Sequence, residues 1–360
     1  MLVRSLSVHA RYRCGHSGAC CTSNWPIPIE ADRLSVLRIA IADRQLTPTR
    51  GAPPFARVAR DRDAPALLGV SAGACVFFDA STRLCRVHEA LGHDALPLAC
   101  RQFPRVVLRD PRGVSVVLSH YCPTAAALLD DAVGFESGGT VTIVESPAGF
   151  PSGAEYEGLD ARESLPPLLR PGVLMDWESW WDLEQRTVDL LANSTDPPAR
   201  ALARLHGIVE HTRRWRPGSR ALRDHIREAF DASTGTLNRG EHVDVDLLCE
   251  EIRQAVPAEF DAPSPSGRST DQRVLKRFLA AHAFASWTPF IGGSLRAWRR
   301  SIDTAYALIV SGHDVRTADL LLRHLAEPHV LARTWIRAER DVEACATVAR
   351  SRRAGRSNRS

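Results

Sequence analysis

With 360 residues, 44% of them hydrophobic and 24% charged, the chain has the composition of a soluble globular protein, long enough for two domains and a sizeable core. Its formal net charge of +4 is too small to argue for nucleic acid as a partner, and Lys276 is the only lysine, so arginine carries nearly all the positive charge. No run approaches the roughly 18 apolar residues of a membrane span, and the first residues lack the apolar core and cleavage site of a secretory signal, so no membrane partner and a cytoplasmic, reducing location are expected.

In chain order, residues 1–22 read as a loop entered from a short strand. Pro26 and Pro28 keep the next stretch extended. A helix starts near Glu30, with Leu34, Leu37, Ile39 and Ile41 as its apolar positions. Residues 48–72, with Pro48, Pro53, Pro54 and Pro65, form an irregular connector. Two short strands, 75–78 and 84–87, flank a turn at Asp79, and residues 88–100 form one short helix or a loop ending at Cys100. The clearest hairpin has arms 105–109 and 114–119 around Asp110-Pro111-Arg112-Gly113, a tight-turn sequence between valine-rich segments. Its antiparallel return should bring Cys100 and Cys122 near one another.

A stretch rich in glycine, serine and proline follows over 135–172, with one strand candidate at 140–144 and a soft boundary near 150. From Met175 onward the pattern is helical. Trp177, Trp180, Trp181 and Leu183 open one helix, and others are expected near 198–214, 244–255, 270–287, 294–311, 315–325 and 329–349. Residues 350–360 are arginine- and serine-rich and read as a disordered tail. The fold class that follows is α+β. A small, irregular, cysteine-rich metal-binding domain with a β-hairpin spans 1–150, and a mostly helical domain spans 151–349.

Seven of the nine cysteines fall within the first 122 residues: Cys14, Cys20, Cys21, Cys75, Cys85, Cys100 and Cys122. The odd total, without an export signal, disfavours a disulfide framework. Thiolates are soft ligands that suit zinc, copper(I) or iron–sulfur clusters. The loop Cys14-Gly-His-Ser-Gly-Ala-Cys20-Cys21 has the glycines needed to fold separated thiols together and to expose backbone N–H groups toward their charge. Seven thiolates exceed the four that one zinc site or one cluster takes. Two centres, or one centre with extra structural or redox thiols, both fit. His16, His88, His93 and His120 lie close enough in sequence to complete a second site. Arg101 and Arg105 flank Cys100, either offsetting thiolate charge or standing on an exposed strand edge. Cys249 and Cys345, alone in helical segments, read as packing residues.

The series Cys14-x5-Cys20-Cys21, Cys75, Cys85, Cys100-Arg-Gln-Phe-Pro and Cys122 resembles the YkgJ-type cysteine-cluster family, a zinc- or iron-chelating domain, over roughly residues 10–125. With Cys20-Cys21-Thr-Ser-Asn-Trp25-Pro-Ile27-Pro-Ile29 and a long helical C-terminal portion, the chain is similar to the flagellin lysine-N-methylase branch. That resemblance implies methyl transfer from S-adenosylmethionine to lysines of flagellin, with an iron–sulfur cluster, of the four-iron type, held by some four of the seven cysteines. Small family members often have C-x2-C-x2-CC. Here Ser17 stands at the second position, one thiol short of that pattern.

The catalytic residues and the cofactor-binding residues are not legible. No glycine-rich loop follows a buried strand as in the doubly wound methyltransferases, and no C-x3-C-x2-C run or Walker loop occurs. Trp177, Trp180 and Trp181 with Asp176, Glu178 and Asp182 fit an amphipathic helix core better than an amine-binding face. Two functions therefore stand side by side: a methylase-like enzyme acting on protein lysine, and a non-catalytic zinc module whose helices serve a partner. A thiol redox role for the vicinal Cys20-Cys21 pair is a third.

Overall fold

The computed structural model describes residues 1–23, 25–49, 51–57, 64–130, 139–151, 155–233, 245–246, 250, 254, 270–291 and 293–325. The helix expected near 244–255 lies largely outside these residues. The helix expected near 329–349, the tail, Cys249 and Cys345 lie wholly outside them. The fold is α+β and divides into two compact units. The first comprises Met1–Gly139, Ile143–Asp160 and Val315–Leu320, and the second Thr140–Thr142, Ala161–Asp314 and the chain from Leu321.

The first unit is organised by a mixed five-stranded sheet. The hairpin appears as β7 (Arg105–Asp110) and β8 (Gly113–Leu118), with Arg105 opposite Leu118 and Asp110 opposite Gly113. Strand β1 (Val3–Leu6) runs parallel to β8, pairing Ser5 with Val116. On its other side β1 pairs antiparallel with β9 (Ile143–Glu145), close to the expected strand at 140–144. Strand β10 (Leu159–Asp160) adds parallel to β7. Asp110 is more than a turn residue. Its carboxylate is fully buried and is held by Arg4 at 3.2 Å and Arg112 at 2.7 Å.

Before the hairpin the chain is short-stranded. Helix α1 (Ala31–Ala42) starts where expected and buries Leu34, Leu37 and Ala40. Short strands precede the hairpin: β2 (Pro28–Ile29), β3 (Phe55–Ala56), β4 (Ala66–Leu68), β5 (Val70–Ser71) and β6 (Ala74–Cys75). The two strands expected around Asp79 do not form as such. Ala74–Cys75 pairs back onto Val70–Ser71, Phe78 and Cys85 share a single bridge, and residues 86–91 are helix α2 (Arg86–Leu91). The cause is local. Asp79 Oδ1 accepts from Ser81 N, Ser81 Oγ and Thr82 N at 2.9, 2.6 and 3.2 Å, closing a side-chain turn, and its arms stay short because Cys75 is already paired with Val70 and Cys85 caps α2. A 3-10 turn at His93–Ala95 and helix α3 (Leu98–Gln102) follow, and helix α4 (Pro123–Ala127) comes after the hairpin.

Two apolar clusters form in this unit. One joins Ile29, Leu37, Leu68, Val76, Phe77 and Val87, with Cys75, Cys85 and Cys100 packed against it. The other joins Tyr12, Val107, Val116, Leu118, Phe150 and Cys122. The thiols are therefore divided between two cores before any metal is considered.

The second unit is helical: α5 (Trp177–Asn193), α6 (Pro198–Thr212), α7 (Leu222–Ala232), α8 (Gln272–Ala283) and α9 (Leu295–Val310). Asp176 caps α5 by accepting from Ser179 N at 2.8 Å. Trp180 is fully buried and meets Trp298 edge-on, with ring centroids 5.2 Å apart, as a core residue does, whereas Trp177 and Trp181 are half-buried. Helix α10 (Val315–Leu325) begins in the first unit. No helix among the described residues is long and apolar enough to cross a membrane.

Candidate metal centre

The loop carrying the first cysteines is shaped by backbone conformations that few side chains adopt. His16 and Gly18 have φ of +50° and +73°, and Gly18 leads into the 3-10 turn Ala19–Cys21. A Cβ on Gly18 would stand 2.7 Å from Phe78 Cε2 and 2.9 Å from the Arg83 carbonyl oxygen. The close approach of these two loops is what brings Cys20 and Cys21 to Cys85. Arg83 Nη2 seals it by donating to Ser17 O at 2.9 Å.

Five thiols line one small pocket: Cys20, Cys21, Cys75, Cys85 and Cys100. Its volume is about 20 Å³, with Ile27, Leu68, Phe77 and Val87 among its apolar walls. Cys20 and Cys21 Sγ are 4.0 Å apart. Cys21 is the thiol on which Cys20, Cys75 and Cys85 all act electrostatically, and Cys20 is its hydrogen-bonding neighbour. The bond with Cys20 first, then the nearby Cys75 and Cys85, push the Cys21 thiol up, while Cys21 lowers Cys20 and Cys75 and takes Cys85 down to about 6. Backbone N–H groups of Val87 and His88 also stabilise the Cys85 thiolate. Burial, with the neighbouring thiols, pushes Cys100 up.

A larger cavity of about 560 Å³ opens beside this pocket. Tyr12, Cys14, Cys20, Cys21, Cys85, Cys100 and Cys122 all line it. Cys100 and Cys122 therefore share a cavity, but not a packing cluster. Cys122 is 3% exposed and faces Tyr12, whose hydroxyl lies 3.8 Å from Sγ. Burial, followed by the nearby Cys122 and Cys14, raises the Tyr12 phenol. Cys14 is exposed, and its Sγ accepts from His16 N at 3.4 Å.

The thiol donors suit a soft metal by their chemistry, although among the described residues no three of them lie within 4.8 Å of one another, so the side chains draw closer when an ion binds. A tetrahedral zinc with sulfur at about 2.3 Å separates its ligands by about 3.8 Å, close to the Cys20–Cys21 spacing. A pocket of this volume admits one water-sized body, whereas a four-iron cluster must extend into the larger cavity.

Of the histidines singled out in the sequence, His16, His88 and His93 stand exposed at the mouth of the larger cavity, with ring centroids about 6 Å apart in succession. His120 is elsewhere, buried with its Nε2 3.1 Å from that of His9. Arg101 and Arg105 both line the cavity, and Arg101 pairs with Glu155 at 3.0 Å. Sequence reading missed Tyr12, which carries no motif. It also missed Glu30, which receives the amide of Leu98 at 3.2 Å and so fixes the start of the helix bearing Cys100.

Fold and site together define a thiolate metal-binding module joined to a helical unit. Residues 13–123 match the family model CxxCxxCC, described as "Putative zinc- or iron-chelating domain". The match spans under a third of the chain and supports metal binding by that segment and its likeness to the cysteine-cluster family. No curated protein matches the chain, and no solved structure does.

Proposed function

We propose that the first unit holds a zinc or iron ion on Cys20, Cys21, Cys75 and Cys85, with Cys100 as a fifth thiol beside it. The observation that carries this reading is that Cys20, Cys21, Cys75, Cys85 and Cys100 line one small pocket, with Cys20 and Cys21 Sγ 4.0 Å apart. A bound ion supplies a fixed crosslink among chain segments that have only short strands and turns of their own. Its binding energy is therefore folding energy for the unit. The seven thiols suit a reducing compartment such as the cytoplasm. On this reading the helical unit serves a protein partner, not a membrane or nucleic acid.

A second reading is an iron–sulfur cluster in the larger cavity, with Cys14 and Cys122 among its ligands and methyl transfer to protein lysine as its activity. Its support is the resemblance to the flagellin lysine-N-methylase branch and the cavity itself, whose volume is within the roughly 300–1,000 Å³ of small-molecule sites. S-adenosylmethionine and a lysine side chain of flagellin would then be its ligands.

The test is an absorption spectrum with iron, sulfide and zinc analysis on anaerobically purified protein and its single Cys→Ser variants. The first reading expects one metal per chain, no sulfide, loss of metal in Cys21→Ser and Cys75→Ser, and retention in Cys14→Ser and Cys122→Ser. A brown protein containing sulfide, whose colour is lost in Cys14→Ser and Cys122→Ser, overturns it in favour of the second. Methyl transfer to flagellin would then be assayed directly.

A further inference from the structure

The second unit carries a cluster that the cysteine centre does not use. His211 lies in the last turn of α6, and His225 and Glu228 stand one turn apart on α7. One ring nitrogen from each histidine and one carboxylate oxygen lie within 4.8 Å of one another. Among the described residues these three form the one such group of metal-type ligand atoms.

The hydrogen bonds fix the state of His225. Its Nε2 is 3.0 Å from the His211 carbonyl oxygen, and its Nδ1 is 2.7 Å from Arg220 Nη2. A carbonyl only accepts and a guanidinium only donates. Nε2 therefore carries the proton, and Nδ1 presents its lone pair toward Arg220. A histidine whose other N–H is anchored to a backbone carbonyl is the arrangement that metal-binding histidines adopt. His211 adds a buried Nε2 with no hydrogen-bond partner. Arg220 also forms an ion pair with Glu228. The guanidinium thus occupies the cation position of a two-nitrogen, one-oxygen donor set. The Arg220 side chain is 46% exposed and springs from the loop between α6 and α7, so it can turn out into water.

We propose that His211, His225 and Glu228 form a second metal site, for a divalent ion of the zinc class, and that Arg220 is the cation competing for it. Two imidazoles and a carboxylate are ligands zinc accepts, and they leave a fourth position for water. Zinc bonds of about 2.0–2.2 Å place ligand atoms about 3.4 Å apart. The side chains therefore need to draw together by roughly an ångström, which Glu228, 49% exposed, is free to do. The bound ion would tie α6 to α7.

Cobalt(II) and zinc titrations of the full-length reduced protein test this. Thiolate-to-cobalt charge transfer reports the cysteine centre, whereas a nitrogen and oxygen site adds only weak visible bands. A second equivalent with weak bands is expected in the wild type. His225→Ala and Glu228→Gln should weaken it by about 10–100-fold or more, with the thiolate signal unchanged. Arg220→Ala should tighten it. Glu228→Gln, at an exposed position, guards against a fold effect, and far-ultraviolet circular dichroism checks each variant. If neither the wild type nor Arg220→Ala takes up the second equivalent, or if His225→Ala and Glu228→Gln bind it as the wild type does, the proposal is overturned and Arg220 is a plain ion-pair partner. The result is separable from the cysteine centre, because an equivalent with weak bands only is expected whether or not the thiolate signal appears.

Discussion

Asp319 Oδ2 accepts hydrogen bonds from the Ser119 hydroxyl at 2.6 Å and the Tyr121 amide at 3.2 Å. A buried carboxylate on α10 thereby fixes the backbone that enters Cys122, although 200 positions separate it from Ser119. Arg316, on the same helix, adds a bond from Nε to the Tyr121 carbonyl oxygen at 3.1 Å. Asp319→Ala leaves a hydroxyl and an amide without their acceptor, at about 1–3 kcal/mol for each group that stays buried. Asp319→Asn, which retains an acceptor oxygen, should recover part of that loss. Urea unfolding of the two variants checks the order. Equal midpoints for Asp319→Ala and wild type would show that this network does not hold the segment.

Below Asp319, His9 and His120 face each other in a site closed to water. Burial first, then the neighbouring His120, hold His9 well below the ordinary imidazole value, with Asp319 pulling weakly the other way. The unfolded chain then binds more protons than the folded one below about pH 6.5. Stability from a neutral His9 is complete above that pH and is lost as pH falls toward the folded value, by up to about 1.4 kcal/mol per pH unit. Unfolding free energies at pH 7.5 and 5.5 should differ more in the wild type than in His9→Gln. Parallel pH profiles for the two proteins would refute the assignment.

In metal-free, reduced protein the thiols should differ sharply in reactivity. Cys85, lowered to about 6 chiefly by Cys21, is a thiolate at neutral pH, whereas burial keeps Cys100 protonated. Alkylation is carried by the thiolate, so Cys85 should be modified ahead of Cys100 at pH 7. Its pH midpoint should move up toward the free-cysteine value of about 8.5 in Cys21→Ser. Metal loading should protect it. Mass spectrometry of pulsed alkylation reads all three effects, and an unchanged Cys85 midpoint in Cys21→Ser would remove Cys21 from its central role.

What could be read in advance was what is encoded locally. The hairpin at Arg105–Leu118 was legible because a tight-turn sequence sits between valine-rich arms, so neighbours in sequence are also partners in space. The strands expected around Asp79 were not, because Cys75 pairs backward onto Val70 and Cys85 opens a helix. Helix α7 was overlooked although Leu222, Ile226 and Ala229 recur at the i, i+4, i+7 spacing of an amphipathic helix, because that stripe is narrow among charged residues. The grouping of thiols in the first 122 residues was plain. Their division, with Cys21 central among four and Cys14 and Cys122 on another wall, depends on the Gly18–Arg83 approach and on which core each thiol joins. Nothing in the spacing encodes that α10 returns to support Cys122.

Gly18 offers the sharpest test of how the centre is assembled. An alanine there meets two obstacles: the +73° φ, worth about 1–2 kcal/mol for a residue with a side chain, and a Cβ 2.9 Å from the Arg83 carbonyl oxygen. Phe78 could rotate, but a backbone carbonyl can yield only if the loop that leads into Cys85 moves. Gly73 is the matched control, with a φ of +75° and nothing within 4 Å of a built Cβ. Both variants carry the same backbone strain, and only Gly18→Ala should separate Cys20 and Cys21 from Cys85. Chelator competition should therefore show weaker metal binding in Gly18→Ala than in Gly73→Ala, by about 5- to 150-fold if about 1–3 kcal/mol of local strain is carried into the site. Equal affinities in the two variants would mean that the thiols converge without the loop contact, and that the ligand geometry is fixed by the apolar core around Phe77 and Val87 instead.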